Sequence, residues 1–162
     1  MRASIIAVPT LAAALAITVV APALVVMFGQ PANARDYIKR DDAQPRAYSP
    51  AVVTEGGKII WLGGQSTTVS LDGKNLAGDF EGQARDVFAR LGKTLAQAGG
   101  KLTDMTNMTV FITDPRNGNR LTEIRREIWG DNFAGSALIT ISALANPISL
   151  IEIQGVAVIG DK

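Results

Sequence analysis

The chain has 162 residues, of which 47% are hydrophobic, 19% charged and 6% aromatic, and this length fits one globular domain with little room for a second. It contains no cysteine and no histidine. Disulfides, thiol nucleophiles, Ser-His and Cys-His dyads and zinc sites of the Cys/His type are therefore excluded. Any chemistry must use carboxylates, Lys, Arg, Tyr, hydroxyls, amides or backbone N–H groups, and we expect neither a metal nor another cofactor.

The charge balance argues against a nucleic-acid partner. The chain has 16 Lys+Arg and 15 Asp+Glu, and its first 34 residues contain one cation, Arg2, and no acid. The remainder is therefore neutral. Nucleic-acid binding needs a dense set of Lys and Arg that neutralises phosphates and releases counterions, and no such patch is present in the sequence.

Residues 1–34 are predicted to form an export signal. No charge occurs between residues 3 and 28, Arg2 supplies a positive start, and Ala32-Asn33-Ala34 matches the small-x-small pattern of a signal-peptidase site. Cleavage there would leave Arg35 as the first residue. The alternative is an uncleaved anchor, because the apolar run is long enough to span a bilayer. Either way Arg2 stays cytoplasmic and the rest is exported. In a bacterium the protein would then be periplasmic or secreted, or anchored in the inner membrane and facing the periplasm.

The exported part begins with a polar segment and continues with a single domain over residues 48–162. Residues 35–47 are predicted to be a linker, either a tether or an extended lead-in strand. Apolar runs at 51–53 and 59–62, joined by Gly56-Gly57, predict two strands and a tight turn. A third strand is predicted over 65–71.

Two amphipathic helices are predicted, over residues 79–99 and 118–132, from apolar residues spaced three and four apart. Asp79 is placed to cap the first helix and Gly99-Gly100 to end it. In the second helix Leu121, Ile124 and Ile128 form the inner stripe, with Trp129 as a further candidate.

The remaining strands are predicted over 105–112, 137–142 and 150–159, and Glu152 is the only charged residue in the last of them. The order βββ-α-β-α-ββ predicts an α+β layer fold in which both helices cover one face of a sheet. Its other face is apolar, which favours assembly of several copies.

A succession of motifs in this exported part resembles the Rid (YjgF/UK114) family. The similarity covers nearly all of the domain. The evidence for it is the order in which the motifs follow one another, and no single motif is decisive. The motifs are Tyr48-Ser49-Pro50-Ala51-Val52-Val53, Gly56-Gly57, Trp61-Leu62-Gly63-Gly64-Gln65, Gly78-Asp79-Phe80-Glu81-Gly82-Gln83-Ala84, Ala98-Gly99-Gly100, Asn107-Met108-Thr109-Val110-Phe111-Ile112-Thr113-Asp114 and Leu150-Ile151-Glu152-Ile153.

The resemblance implies a chorismate-mutase-like α+β fold, with a mixed sheet of about six strands, two helices on one face, and a homotrimer whose ligand clefts lie between subunits. It implies that relatives hydrolyse reactive enamines and imines to 2-oxo acids and ammonia. Such a site uses an arginine that grips the substrate carboxylate, a strand glycine and a glutamate near the water or imine. By position the glycine matches Gly64, the glutamate Glu152 and an aromatic at the cleft edge Tyr48.

The arginine does not match. The family segment that carries it aligns with residues 134–139, which places Ser136 at its position, or Ala137 if a one-residue gap is moved. An asparagine usual in the second helix is replaced by Thr122. Ser136 is then expected to donate to a neutral or smaller ligand group. Without the guanidinium, deaminase activity is doubtful, because a hydroxyl cannot replace a bidentate ion pair.

Two alternatives stay open for the remaining polar groups. Glu152 is either a general base that orients water or a subunit-boundary acid that accepts backbone N–H bonds. Arg125 or Arg126 could rebuild the anion site, but Arg125 follows the inner Ile124, so a solvated face is predicted for both.

These observations lead to one principal hypothesis and two alternatives. The first is an exported trimer that binds a small metabolite in intersubunit clefts lined by Tyr48, Gly64, Ser136 and Glu152, with Thr122 nearby. The second is an imine or enamine hydrolase with a relocated anion site. The third is a structural or chaperone-like trimer. Nuclease activity, an older label of this family, is not expected without histidine or a basic patch.

Overall fold

A computed structural model describes residues 35–160, and the predicted export signal lies outside this range, so it stays a prediction. No helix among residues 35–160 is long and apolar enough to cross a lipid bilayer. The strands are β1 (Arg35–Ile38), β2 (Ala51–Thr54), β3 (Lys58–Gln65), β4 (Met105–Ile112), β5 (Gly135–Thr140) and β6 (Ile151–Ile159), and the helices are α1 (Phe80–Gln97) and α2 (Gly118–Trp129).

The strands form two sheets. Strands β3, β6, β4 and β5 lie side by side in that order, and β1 pairs with β2 in a separate antiparallel pair. In the larger sheet β4 and β5 are parallel, while β6 is antiparallel to both β3 and β4. A parallel pair needs a crossover connection, and α2 supplies it between β4 and β5. The predicted α+β fold with a mixed sheet and two helices is confirmed, with the six strands divided between two sheets.

The core lies between the two helices and one face of the larger sheet. Side chains of α1, α2, β4 and β6 meet there with almost no exposure, among them Val87, Leu121, Ile124, Met108 and Ile153. Burial of these apolar side chains, at about 1.5–3 kcal/mol each, is the main stabilising contribution in a domain without disulfides.

The predicted ends of α1 are confirmed. The Asp79 side chain accepts a hydrogen bond from the Gly82 N–H at 2.9 Å, which satisfies a free donor in the first turn. At the other end Gly99 takes a φ of +85°, and the Gly100 N–H donates to the Leu95 carbonyl at 2.9 Å. This is the arrangement in which a left-handed glycine closes a helix.

The strand predicted over 65–71 is wrong. Strand β3 already contains Gln65, and the chain beyond it is a loop with a single bridge between Val69 and Asn75. The loop folds back on itself, since the Ser70 N–H donates to the Lys74 carbonyl, and the Leu71 N–H donates to Asp86 of α1 at 2.7 Å. The side chain of Asp86 on α1 thus satisfies the Leu71 N–H, which a neighbouring strand would satisfy in a sheet.

Residues 35–38 settle the choice for the lead-in segment. They form β1, which pairs with β2. Arg35 fixes this strand to the domain, because its guanidinium donates to the Thr103 carbonyl at 2.8 Å and also to the Val158 carbonyl and Asp104. The segment is therefore part of the folded domain.

We call the sheet surface that the helices leave uncovered the open face; it carries Ile59, Trp61, Phe111, Ile139 and Glu152. Side chains alternate between the two faces of a strand, and on β4 Met108, Val110 and Ile112 are buried while Phe111 is only half-buried. Trp61 is 79% exposed and Ile59 55%. The apolar uncovered face predicted from the sequence is therefore present.

Candidate functional site

A cleft of about 420 Å³ opens where the segment before β2 meets α2 and β5. Its lining is polar apart from one leucine and comes from three separate parts of the chain. The lining residues are Asp42, Arg46, Tyr48, Arg125, Ser136 and Leu138. We call this the Arg125 cleft.

Arg125 is buried in this cleft, with only 4% of its surface exposed. Its Nη1 donates to the Ser136 hydroxyl at 2.8 Å, and its Nε has no hydrogen-bond partner. The prediction that Arg125 lies on a solvated face is therefore wrong. Residues four apart lie on the same side of a helix, and Arg125 falls between the buried Leu121 and Trp129. This four-residue spacing indicates a buried position for Arg125. The apolar stripe through Ile124 favoured the opposite interpretation.

Electrostatics make the buried guanidinium unusual. Burial, and then the positive charge of Arg46, lower the pKa of Arg125 from 12.5 to about 10. The side chain therefore remains a cation at neutral pH. In the part of the chain that the structure describes, neither Arg125 nor Arg46 forms an ion pair. A buried charge without a counterion is costly, so the cleft is an environment that favours an anion.

The acid in the cleft does not supply that counterion. Asp42 pairs with Arg40, whose Nε and Nη2 lie 2.5 Å and 3.0 Å from its two carboxylate oxygens. This partner lowers the pKa of Asp42 below its ordinary value, mainly through the hydrogen bonds that Arg40 donates. The charges of Asp42 and Arg40 offset each other, and the two arginines of the cleft keep theirs.

Arg126 has a structural role at the same place. It is exposed, as predicted, and its Nη2 donates to the Pro45 carbonyl at 2.9 Å and to the Gln44 carbonyl at 3.4 Å. These bonds tie α2 to the short 3₁₀ turn Gln44–Arg46. Arg126 therefore holds one wall of the cleft and does not face it.

Tyr48 and Ser136 both reach the Arg125 cleft. Tyr48 is half-buried at the edge of the cleft. The following residue holds this segment beside the start of β5, because the Ser49 N–H donates to the carbonyl of Ala134, the residue before β5, at 3.2 Å. Ser136 accepts the bond from Arg125 with its hydroxyl oxygen, so its own O–H is still able to donate. The role of Ser136 as a donor to a ligand stays a prediction.

Thr122 is placed differently from the other predicted site residues. Its hydroxyl donates to the Gly118 carbonyl at 3.0 Å, within α2, and it does not line the cleft. Thr122 lies one turn before Arg125 on the same side of the helix. In the single chain its hydroxyl bonds within α2 and makes no hydrogen bond to the residues that line the cleft.

Gly64 and Glu152 form a second group. A Cβ on Gly64 would overlap the Glu152 carboxylate, so the absence of a side chain at Gly64 makes room for the acid. The Glu152 side chain is half-buried and makes no hydrogen bond or ion pair within residues 35–160. Glu152 therefore has a free carboxylate beside an open stretch of backbone.

The two groups lie on opposite faces of the sheet. Ser136 is paired with Met108, and Glu152 is paired with Phe111 on the same central strand. Met108 and Phe111 are three residues apart, and in a strand such residues point to opposite sides. One protomer therefore cannot bring Ser136 and Glu152 into one cleft. A shared cleft requires two protomers, as the family resemblance implies.

The described residues offer no evident metal centre. No group of three or more Asp and Glu side chains that could hold a metal ion is found in residues 35–160. The chemistry available to the Arg125 cleft is anion binding by guanidinium groups, hydrogen bonding by Ser136 and Tyr48, and packing against Leu138.

Comparisons with known proteins agree with this fold. The family model described as Endoribonuclease L-PSP matches residues 41–159. Protein DfrA from Myxococcus xanthus is 33% identical over 77% of this chain and 96% of its own length. The human 2-iminobutanoate/2-iminopropanoate deaminase is 29% identical over 70% of this chain and 80% of its own.

Solved structures give the same result. A conserved Rid-family protein of unknown function from Yersinia pestis, YyfB, superimposes with a TM-score of 0.69 and 25% identity, over 78% of this chain and 99% of its own. The sequence match covers both the segment that carries Tyr48 and the strand that carries Glu152. The chain therefore belongs to the Rid family, the family of the Endoribonuclease L-PSP model.

Proposed function

We propose that this protein binds a small carboxylate-bearing metabolite, and that Arg125 on α2 holds the carboxylate. The observation that carries the proposal is a guanidinium that is 4% exposed, lines a cleft and has a serine hydroxyl as its hydrogen-bond partner. A buried cation without an acid is destabilising by itself, and an anionic ligand would relieve that cost. The absence of the family arginine at Ser136 then no longer argues against anion binding.

The bond between Arg125 and Ser136 orients the guanidinium for this role. One Nη is used by the serine, and a guanidinium has five N–H donors in a fixed plane. A ligand carboxylate that accepts from the remaining donors would form a charge-assisted pair, which is about twice as strong as a neutral hydrogen bond. Tyr48 would pack on the organic part of the ligand.

We propose further that the working unit is a trimer, which would complete each cleft with Gly64 and Glu152 of a neighbouring subunit. Two observations support this. Gly64 and Glu152 lie on the opposite face of the sheet from Ser136, and that open face carries the strongly exposed Trp61 and Ile59. An apolar patch of this kind is rarely left to solvent in a protein that works alone.

Hydrolysis of imines or enamines is the second candidate function, and the free carboxylate of Glu152 favours it. In such a reaction water adds to the imine carbon, the carbon–nitrogen bond breaks, and a 2-oxo acid and ammonia are released. A carboxylate without an ion pair can orient that water and accept its proton. A relative that shares 29% identity bears the name of an imine deaminase.

Export to the periplasm remains part of the proposal. It is supported by the uncharged residues 3–28 behind Arg2 and by the Ala32-Asn33-Ala34 pattern. Cell fractionation, with mass spectrometry of the mature N-terminus, tests it. Recovery of the chain in the cytoplasm with residues 1–34 intact would contradict it.

Calorimetric titration of the purified whole chain with propionate tests the binding proposal. Arg125→Gln is expected to abolish the binding signal, and Arg125→Lys is expected to weaken it, because lysine keeps the charge and loses the planar fork. Arg116→Gln is the matched control, since Arg116 is a surface arginine that is 88% exposed. Equal binding by wild type and Arg125→Gln would overturn the role of Arg125, and no binding by the wild type would overturn the binding proposal and favour a structural trimer.

Turnover is measured separately with freshly generated 2-aminoacrylate. Ammonia release by the wild type that falls in both Arg125→Gln and Glu152→Gln would support the hydrolase. Binding of propionate without any acceleration of ammonia release would leave the protein a binding member of the family and overturn the hydrolase.

A further inference from the structure

The following inference rests on the proposed function and concerns the kind of anion that the Arg125 cleft binds. The cleft has a second arginine, Arg46, on its wall. The two positive charges are close enough for Arg46 to contribute to the lowered pKa of Arg125. Neither of them forms an ion pair with an acid in the described residues.

The position of Arg46 is fixed by the fold. It ends the 3₁₀ turn Gln44–Arg46, and the next residue, Ala47, is the one non-glycine residue among residues 35–160 with a positive φ, at 53°. Left-handed backbone at a residue with a Cβ is strained and persists only where the surroundings hold it. Here the buried Ala43 and Ala47 and the bonds from Arg126 hold it.

The turn that places Arg46 beside the cleft therefore has an energetic cost, because it needs left-handed backbone at Ala47. An unpaired arginine at the mouth of a cleft whose floor already carries a buried arginine raises the electrostatic energy of the empty protein. Asp42 does not offset it, because Asp42 is already paired with Arg40. A ligand with one carboxylate would neutralise Arg125 and leave Arg46 without a partner.

We propose that the ligand of this cleft is a small dicarboxylate, with one carboxylate held by Arg125 and the second by Arg46. The cleft volume of about 420 Å³ admits a short four- or five-carbon diacid. Arg125 sets the position of the first carboxylate at the floor beside Ser136. Arg46 selects the second, so Arg46 is a specificity-determining residue and Arg125 is the anchor.

Titration of the purified whole chain with succinate, propionate and inorganic phosphate tests the proposal. Wild type is expected to bind succinate about tenfold more tightly than propionate, the gain that one additional charge-assisted pair provides. Arg46→Gln is expected to reduce this preference to less than about twofold, because it weakens succinate binding more than propionate binding. Arg46 is an exposed residue, so the variant is expected to fold normally.

The outcomes separate this inference from the proposed function. Equal affinities of wild type for succinate and propionate, with both lost in Arg125→Gln, would overturn the dicarboxylate and leave the carboxylate site intact. Tighter binding of phosphate than of succinate would overturn the dicarboxylate in favour of a phosphate ligand. No binding of any probe would overturn both proposals. Arg116→Gln again controls for the loss of one positive charge, and an unchanged preference in it supports a local role of Arg46.

Discussion

Arg125 on α2 donates to the hydroxyl of Ser136 on β5 at 2.8 Å. The family resemblance places an arginine at Ser136, or at Ala137 if a one-residue gap is moved, whereas the buried arginine of this chain comes from α2. The serine is small enough to let the helix arginine reach the same cleft, and its oxygen fixes the guanidinium. A buried cation therefore lines the cleft beside Ser136, although β5 itself carries no arginine.

Ser136→Ala tests this pairing. The variant removes the acceptor and leaves the buried guanidinium with one hydrogen bond fewer, which costs about 1.5–3 kcal/mol when a charged group is involved. We expect propionate binding to weaken by about tenfold or more, measured by calorimetric titration. Ser142→Ala is the control, because Ser142 lies outside the cleft. Unchanged affinity in Ser136→Ala would show that the arginine does not need its serine.

Gly64→Ala tests the room left for Glu152. The new Cβ would overlap the Glu152 carboxylate, which is the mobile end of a side chain and can move away. We therefore expect the free energy of unfolding to change by less than about 1 kcal/mol, while any ammonia release from 2-aminoacrylate falls with the displaced acid. Gly63→Ala is a matched control, since a Cβ there meets no atom within 4 Å. Equal activity of the two variants would contradict the assignment.

Gln83 fixes the loops around the sheet end from inside the core. This fully buried side chain donates to the Leu76 and Ile148 carbonyls at 3.0 Å and 3.2 Å, and its oxygen accepts from the Leu150 N–H at 2.8 Å. Gln83→Leu would remove these three hydrogen bonds and leave the Ile148 carbonyl and the Leu150 N–H unsatisfied, while the Leu76 carbonyl still accepts from the Asp79 N–H at 3.0 Å. We expect a destabilisation of about 2–4 kcal/mol in urea unfolding. The same change at the exposed Gln97 is expected to have an effect within about 0.5 kcal/mol, and similar losses at both positions would contradict this account.

The contact between the two helices should weaken in acid. Glu81 on α1 pairs with Arg120 of α2 and with Arg85, and the hydrogen bonds from Arg120, then those from Arg85, lower its pKa from 4.5 to about 2. A carboxyl whose pKa is lower in the folded state stabilises fully above its unfolded pKa, and the contribution is lost as the pH falls toward the folded value.

Glu81→Gln tests this dependence. The stability difference between wild type and the variant should be largest at pH 7 and should shrink between about pH 4.5 and pH 2, measured as urea midpoints. Glu55→Gln, at an exposed acid in the turn between β2 and β3, is the control. A difference that stays constant down to pH 2 would exclude this ion pair as its source.

Trp61→Glu tests the use of the open face. A new charge on this apolar surface should prevent association, because burying an unpaired carboxylate is costly. We expect a shift from trimer to monomer in sedimentation velocity. Ile148→Glu changes another exposed apolar residue, 52% exposed and outside the larger sheet, and should leave the trimer intact. A monomeric wild type, or a trimeric Trp61→Glu variant, would contradict the proposed assembly.

Local patterns predicted most of the elements correctly. The caps of α1 and the alternation in β4 depend on neighbouring residues alone, so Asp79 and Gly99 could be placed from the sequence. The loop after Gln65 could not, because the partner of its Leu71 N–H is Asp86, which only the packed helix brings near. Arg125 was misplaced for a similar reason, since α2 is covered on two sides, by the sheet and by the segment that carries Arg46.

The sequence by itself determined the family, the α+β class, the limits of α1 and the absence of histidine and cysteine chemistry, because these follow from residue identity and short-range periodicity. Only the tertiary structure decided which arginine is buried, which residues share the Arg125 cleft and which face of the sheet carries Glu152. Those relations join residues that are distant in the chain, such as Arg46, Arg125 and Ser136. They depend on how the helix, the turn and the strand pack, and no local pattern specifies that.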